Sequence, residues 1–416
     1  MTRQMRISLV GIFALGLMLR LLYLLSVPAL PGGGGDAYWY MANGIGIWNG
    51  DTVGTALDLP YNTALLPTAP LFLFIAGFWP RLLGLENGVL VIRLIHIGCT
   101  LVTIWLAYDM TVRITQQQWG GIFLAALLSL SPVLIIEPVQ ITTETLYVLW
   151  IIAGVAAYVR AVEPDTAHPF RWLLLCGALL GLATLTRAVS LLFPIGLMGH
   201  WLLVQGWQQW RKGLVGAILL LIVYSGTVST WTVHNWVNNQ RFVIASSELM
   251  AAIWRGAVPV SGSPQENDAI LGNETPAEQV TDILQSDTSG YLQRRGSQLL
   301  AAYLQPHGVL ELGGESLRTL ALTWLRDDVS LEGLGRLLNG DFFWPKLAIY
   351  LWHYMGILLG VVGIWLSRAK WRLTLPLIGF IVYTTLIHSV LLALPRYIFP
   401  THIFFWCFGA IALAHL

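Results

Sequence analysis

Apolar runs long enough to cross a bilayer recur along most of the chain, and two polar stretches interrupt them. A spanning helix needs about 20 mostly apolar residues. The candidate runs are 7–28, 68–84, 89–110, 120–138, 142–161, 172–186, 188–205, 213–231, 347–367, 373–394 and 398–415. The interruptions are 30–67 and 232–340. This pattern predicts an all-α polytopic membrane protein of about 10–11 transmembrane helices. It divides into a transmembrane module over 1–231, a polar segment over 232–340 and C-terminal helices over 341–416. The first run follows Arg3 and Arg6 as a signal peptide would. It is long enough to span, and no small-residue cleavage pattern closes it, so it is expected to remain as a signal anchor.

Lys/Arg placement sets the expected orientation. Arg3 and Arg6 precede the first run, Arg211 and Lys212 precede 213–231, and Arg368, Lys370 and Arg372 fill a short late turn. These sites read as cytoplasmic, which puts 30–67 and 232–340 outside. The 232–340 segment holds 12 Asp/Glu against 7 Lys/Arg, a balance suited to a translocated small domain with helical patterning at 291–304 and 316–338. Eight runs precede it, but an inside N-terminus needs an odd number of crossings. One run is therefore not a full crossing, and the short runs 68–84 and 172–186 are the candidates.

Composition agrees with a bilayer protein. Of 416 residues, 56% are hydrophobic and 11% charged, with a mean hydropathy of +0.66. Soluble domains carry about 25% charged residues. The formal net charge of +1 points to no nucleic-acid partner. Cys99, Cys176 and Cys407 lie in apolar runs without metal-ligand spacing and read as small hydrophobes. Walker A, GxGxxG and HExxH motifs are absent, as is an Asp-x-Asp pair. Asn273, Glu274 and Thr275 match a glycosylation acceptor, a pattern frequent by chance. No metal or cofactor is expected from these features, although a divalent ion is not excluded.

Polar residues at the ends of apolar runs carry the candidate chemistry. Pro31 and four glycines end the first run, and Asp36 then opens AYWYMANGIGIW. Asp36 suits a helix N-cap, and Tyr38, Trp39, Met41, Ile45 and Trp48 would coat a short helix at headgroup level. The same carboxylate suits a general base facing an incoming hydroxyl. Arg396 and Tyr397 stand between Pro395 and Pro400. Arg396 suits a phosphate, which its planar fork binds through two parallel bonds, or it snorkels to the interface. Arg187 interrupts a long apolar stretch, which makes it a functional candidate. Glu144, with Glu137 upstream, is a possible ion-pair partner or a solvated helix start. Arg93 and His96, one turn apart, read as structural.

The order of these features resembles the GT-C class of membrane glycosyltransferases. Within that class it is similar to the protein O-mannosyltransferase and aminoarabinose transferase group (glycosyltransferase family 39-like). The residues that carry the resemblance are Asp36 with Tyr38 and Tyr40, then TAPLFLFIAGFWPRLLG at 68–84, then RLIHIGCTLVTIWLAYDM. SPVLIIEPVQITTETLYVLW, GALLGLATLTRAVSLLFP, WTVHNWVNNQRFVIAS at 231–246 and PRYIFP follow in that order. The resemblance implies a GT-C-like bundle with a catalytic first outer loop at 30–67. It also implies a polyprenyl-phosphate sugar donor and transfer to a protein, lipid or glycan hydroxyl at the extracytoplasmic face of the cell membrane. Asp36 would be the base; Tyr38, Tyr40, Glu144, Arg187, Arg396 and Tyr397 would contact substrate, the two arginines toward the phosphate. Relatives often carry a second acid where this chain has Ala37, and some a Lys where it has Leu66. A transporter or flippase for a lipid-linked or polar substrate is the rival expectation, and would show its charges lining a path through the middle of the bundle.

Overall fold

The computed structural model describes residues 2–31, 36–49, 69–239, 242–246, 343–390 and 395–414, with short pieces between 324 and 335. The glycine run 32–35, the rest of the first loop with Leu66, and most of 232–340 lie outside the described residues. So do the helical stretch expected at 291–304 and the Asn273 pattern. In the order of the chain, the helices are α1 Arg3–Ser26, α2 Asp36–Asn49, α3 Pro70–Leu83, α4 Leu85–Thr115, α5 Gln118–Leu130, α6 Pro132–Ile136 and α7 Glu144–Val162. They continue with α8 Pro169–Thr186, α9 Phe193–Gln205, α10 Trp210–Asn239, α11 Phe343–Leu366, α12 Trp371–Val390 and α13 Phe399–Ala414.

Local chemistry sets these boundaries. The Thr2 hydroxyl caps α1 by accepting from the Met5 N–H at 3.3 Å. Pro70, Pro132 and Pro169 open α3, α6 and α8, where the missing N–H costs nothing. Gly84, at φ +81°, turns the chain sharply from α3 into α4. Pro132 also breaks a span. It cannot donate to the Leu128 carbonyl, and the axis bends by 63° between α5 and the 132–139 segment. The buried Arg20 of α1 reaches the carbonyls at this break, donating to Leu128 O at 3.4 Å and Ser129 O at 3.2 Å, and is steadied by a bond to Gly16 O of its own helix at 2.7 Å.

Among the described residues, nine helices are long and apolar enough to cross a membrane, or ten if the bent pair is one span. The expected 10–11 therefore resolves to nine or ten. The run at 68–84 is the one that does not span: it forms the 14-residue α3, packed on α2 and α4. The run at 172–186 lies within α8, which passes the length test. With the bent pair counted as one span, seven spans precede the 232–340 segment, and the parity conflict disappears.

Side-chain contacts define two ends. At one, Arg93 of α4 donates to Pro28 O at 2.8 Å and Ala29 O at 3.1 Å, just past α1, and to Val139 O at 3.0 Å. At the other, Asp109 of α4 pairs with Arg113 at 2.7 Å and with Arg160 of α7 at 2.8 Å, and Glu163 pairs with Arg113 at 2.9 Å. Lys370 Nζ donates to Ile114 O at 2.8 Å there. α4 has 31 residues, or about 46 Å at 1.5 Å per residue, against a hydrocarbon core of about 30 Å. Its first turns, with α2 and α3 alongside, thus continue past the level where α1 stops. The central helices are α7 and α13, whose apolar windows are 83% and 78% buried; α1, at 22%, stands at the rim. Pieces of the 232–340 segment fold back onto this body. Trp324 O lies 2.8 Å from His353 Nε2, and Leu325 O accepts from Tyr354 at 2.9 Å.

Candidate active site

Four chain segments converge at the end marked by Arg93. The first is α2, which lies on α3 by direct backbone contact. A Cβ built on Gly77 would fall 1.9 Å from the Gly44 carbonyl carbon, so neither position has room for a side chain. This packing fixes the start of α2. Asp36 belongs to its first turn, one residue earlier than the expected helix start. Asp36 and Tyr40, four residues apart, share a face. Tyr40 packs edge-on against Phe72 at 5.0 Å. Burial, with the Glu144 charge adding, holds its phenol above the ordinary range, so Tyr40 is a neutral donor. Tyr38 lies on the other side of α2 and is exposed; the structure does not bring it to the cluster.

The second and third segments are the head of α7 and the tail of α8. α8 ends at Thr186, and Arg187 adopts an extended backbone before a short turn at 188–190. Arg187 is therefore at the junction of two spans, not in mid-membrane, which corrects the depth that the apolar stretch suggested. Polar contacts lock the turn. Tyr383 donates to Val189 O and accepts from the Leu192 N–H, and Tyr224 donates to Leu191 O at 2.9 Å. Arg187 Nη1 meets Glu144 Oε1 at 2.6 Å and donates to Thr143 Oγ1 at 3.0 Å. The Thr143 hydroxyl donates in turn to Glu144 Oε2 at 3.2 Å.

The fourth segment is the turn Pro395–Ile398, ahead of α13. Arg396 Nη2 lies 2.6 Å from Asp36 Oδ2, and its Nε lies 3.7 Å from Glu144 Oε1. That Nε makes no hydrogen bond among the described residues. Both guanidinium groups approach the Tyr397 ring, Arg187 at 4.3 Å and Arg396 at 5.4 Å from its centre. The chain of charges thus runs Asp36, Arg396, Glu144, Arg187. Solvent divides it: the Asp36 side chain is 50% exposed, Arg396 30%, Arg187 16% and Glu144 4%. Asp36 is the carboxylate an incoming molecule can reach, and Glu144 is held inside.

Of the seven residues expected from sequence, six gather here and Tyr38 does not. The structure adds Thr143 and Tyr147, and of the two carboxylates the sequence offered to Arg187 it pairs Glu144, with Glu137 close by. Tyr147 lies one turn below Thr143 on α7, with Arg187 5.9 Å from its ring centre. Glu137 is buried and accepts from Thr142. The spacing of Thr143, Glu144 and Tyr147 on one helix face was the signal available for the first two. Among the described residues no three His, Cys, Asp or Glu side chains gather closely enough to hold a metal ion.

Comparison with known proteins adds an independent line. The model of the dolichyl-phosphate-mannose-protein mannosyltransferase family matches residues 67–231. No curated protein matches the sequence. Among solved structures, the chain is similar to the Archaeoglobus fulgidus oligosaccharyltransferase tethered with an acceptor peptide. The TM-score is 0.60 at 14% identity, covering 100% of this chain and 50% of that one. The same archaeal enzyme in complex with an inhibitory peptide and a dolichol-phosphate gives 0.58 at 12% identity, over 99% of this chain and 50% of that one. The chain thus shares the fold of this archaeal membrane enzyme, and the family match covers less than half of its length. ArnT from Cupriavidus metallidurans bound to undecaprenyl phosphate aligns with a TM-score of 0.43 at 16% identity, over 98% of this chain and 77% of that one. The chain spans half the length of the archaeal GT-C enzyme. The family match covers α3 to α10, and so Glu144 and Arg187. Asp36 and Arg396 lie outside it, and their juxtaposition is seen in this structure alone.

Proposed function

We propose that this protein transfers a sugar from a polyprenyl-phosphate donor to an acceptor hydroxyl at the extracytoplasmic face of the cell membrane. One observation carries the reading: a reachable carboxylate, Asp36, and a phosphate-competent guanidinium, Arg396, meet at one end of a bilayer-crossing bundle. A transporter would line a central path with charge, whereas the charge chain described above sits at an end. The dolichol-phosphate held by the archaeal oligosaccharyltransferase supports an isoprenoid phosphate as the lipid half of the donor.

In the proposed step Asp36 accepts the proton of the acceptor hydroxyl as that oxygen attacks the anomeric carbon. The new C–O bond forms while the bond from the anomeric carbon to the phosphate oxygen breaks. The lipid phosphate leaves with the electron pair, its charge balanced by arginine. A double displacement would need a free carboxylate as nucleophile. Glu144, the remaining nominee, is clamped by Arg187 and almost closed to solvent, so the single displacement is the better chemistry, with inversion at the anomeric carbon.

Sidedness follows from charge. The opposite end carries Arg3, Arg6, Arg113, Arg160, Arg171, Arg211, Lys212, Arg368, Lys370 and Arg372 against Asp109, Glu163 and Asp165. Such an excess marks the cytoplasmic side and leaves the Asp36 end outside. The test is purified protein in lipid with a panel of polyprenyl-phosphate sugars and mixed acceptors. Sugar transfer that disappears with Asp36→Asn supports the reading. Full turnover by that variant removes Asp36 as base, and no transfer from any donor removes the function.

A further inference from the structure

The two groups that the proposed reaction needs free are bonded to each other. Asp36 cannot meet an incoming hydroxyl through Oδ2 while that oxygen is 2.6 Å from a guanidinium. Arg396 likewise offers a phosphate only part of its fork while Nη2 is committed. Arg187 is no substitute. It holds a carboxylate that is 4% exposed, and withdrawing it would leave that buried charge only Arg396, at 3.7 Å, as a counter-charge. Arg396 is different on every count. Its present partner is half exposed and can rehydrate at little cost, its Nε has no hydrogen bond among the described residues, and it sits in a 3-10 turn ahead of α13, so it can turn without bending a span.

We propose that the Asp36–Arg396 ion pair is a resting latch that the donor opens, which makes binding ordered, donor first and acceptor second. This rests on the function proposed above and adds a regulation to it. The donor phosphate takes both prongs of Arg396, Glu144 at 3.7 Å keeps the guanidinium from leaving the site, and Asp36 is released as a free base. An acceptor that arrives first finds no base. A sugar-carrying phosphate therefore assembles the catalytic centre by the same contact that binds it. No covalent change is involved; one ion pair is exchanged for another.

The pair also taxes donor affinity, since only the unlatched fraction binds. The experiment measures binding of undecaprenyl phosphate, without sugar, to the full-length protein in nanodiscs. Asp36→Asn should bind about threefold tighter than wild type, the scale of a partly exposed pair. Asp36→Ser should do the same, which guards against an effect peculiar to one side chain. Arg396→Gln should bind at least about tenfold weaker, the scale of a lost charge-assisted contact. Initial-rate kinetics should show undecaprenyl phosphate competing with the donor but not with the acceptor. If both Asp36 variants bind as wild type does or more weakly, while Arg396→Gln is weakened, the latch is overturned and the transfer reading stands. If wild type and all variants fail to bind the lipid phosphate, the transfer reading itself falls.

Discussion

Glu144→Gln is the perturbation that most directly tests how the charge chain is held. The carboxylate is 4% exposed, 2.6 Å from Arg187 and 3.7 Å from Arg396. Removing one partner of a buried pair costs about 3–5 kcal/mol, because the other charge is left without compensation. Arg187 is 16% exposed and keeps Thr143, so the low end, about 3 kcal/mol, applies. Arg187→Gln is not equivalent. It leaves Glu144 with Arg396 nearby and with the Thr143 hydroxyl, and should cost about 1–2 kcal/mol, the value of a charged hydrogen bond. The double variant carries neither charge of the pair and should be more stable than Glu144→Gln alone. Titration with SDS in mixed micelles, followed by tryptophan fluorescence, reads all three. The reasoning is refuted if Arg187→Gln destabilises as much as Glu144→Gln, or if the double variant is worse than either single one.

Three further outcomes follow from the geometry. Gly77→Val should detach α2 from α3, since even one added carbon would collide with the Gly44 backbone; overpacking costs about 1–3 kcal/mol, and sugar transfer should fall further than stability because Asp36 rides on α2. Arg20→Met should destabilise the fold by about 1–3 kcal/mol by taking the Arg20 donor from the Ser129 carbonyl, while Leu128 O keeps the Ser131 N–H; an unfolding midpoint within error of wild type would show that water fills the gap. In sealed vesicles with the native outer face exposed, a membrane-impermeant maleimide should label Glu86→Cys and spare Asp165→Cys, both exposed positions at opposite ends. Cys176 and Cys407 are buried, the half-buried Cys99 is replaced by Ser in both variants, and the reverse labelling would invert the proposed sidedness.

Most of the scaffold was legible in the chain because a bilayer leaves a one-dimensional trace: a helix that must cross it needs a fixed length of apolar residues. The same trace misled where length alone had to decide. The runs at 68–84 and 172–186 differ little in hydropathic extent, and the length of the helix each one forms separates them, 14 residues for α3 against 18 for α8. Gly44 and Gly77 draw α3 onto α2, away from a spanning role, and a close backbone approach has no linear signature. Arg187 shows the converse failure. Two spans joined by a three-residue turn read as one long apolar stretch, so a residue at their junction looked deeply immersed. Asp36, Glu144 and Arg396 were legible as charges at helix ends. Their partnership was not, since 360 positions separate the first from the last, and no local pattern encodes which helix ends become neighbours.

The bond from Arg20 to the crease at Pro132 has a consequence for how the protein is made. Its acceptor Ser129 lies 109 residues further along. At about 5–20 residues per second of synthesis, the first helix waits some seconds in the membrane before those carbonyls exist. During that interval a lone arginine within a lipid-facing helix costs about 2.5–3.5 kcal/mol. α1 is thus a poorly settled helix until α5 arrives beside it, and a nascent chain cut short before residue 129 should retain it less firmly than one cut just beyond.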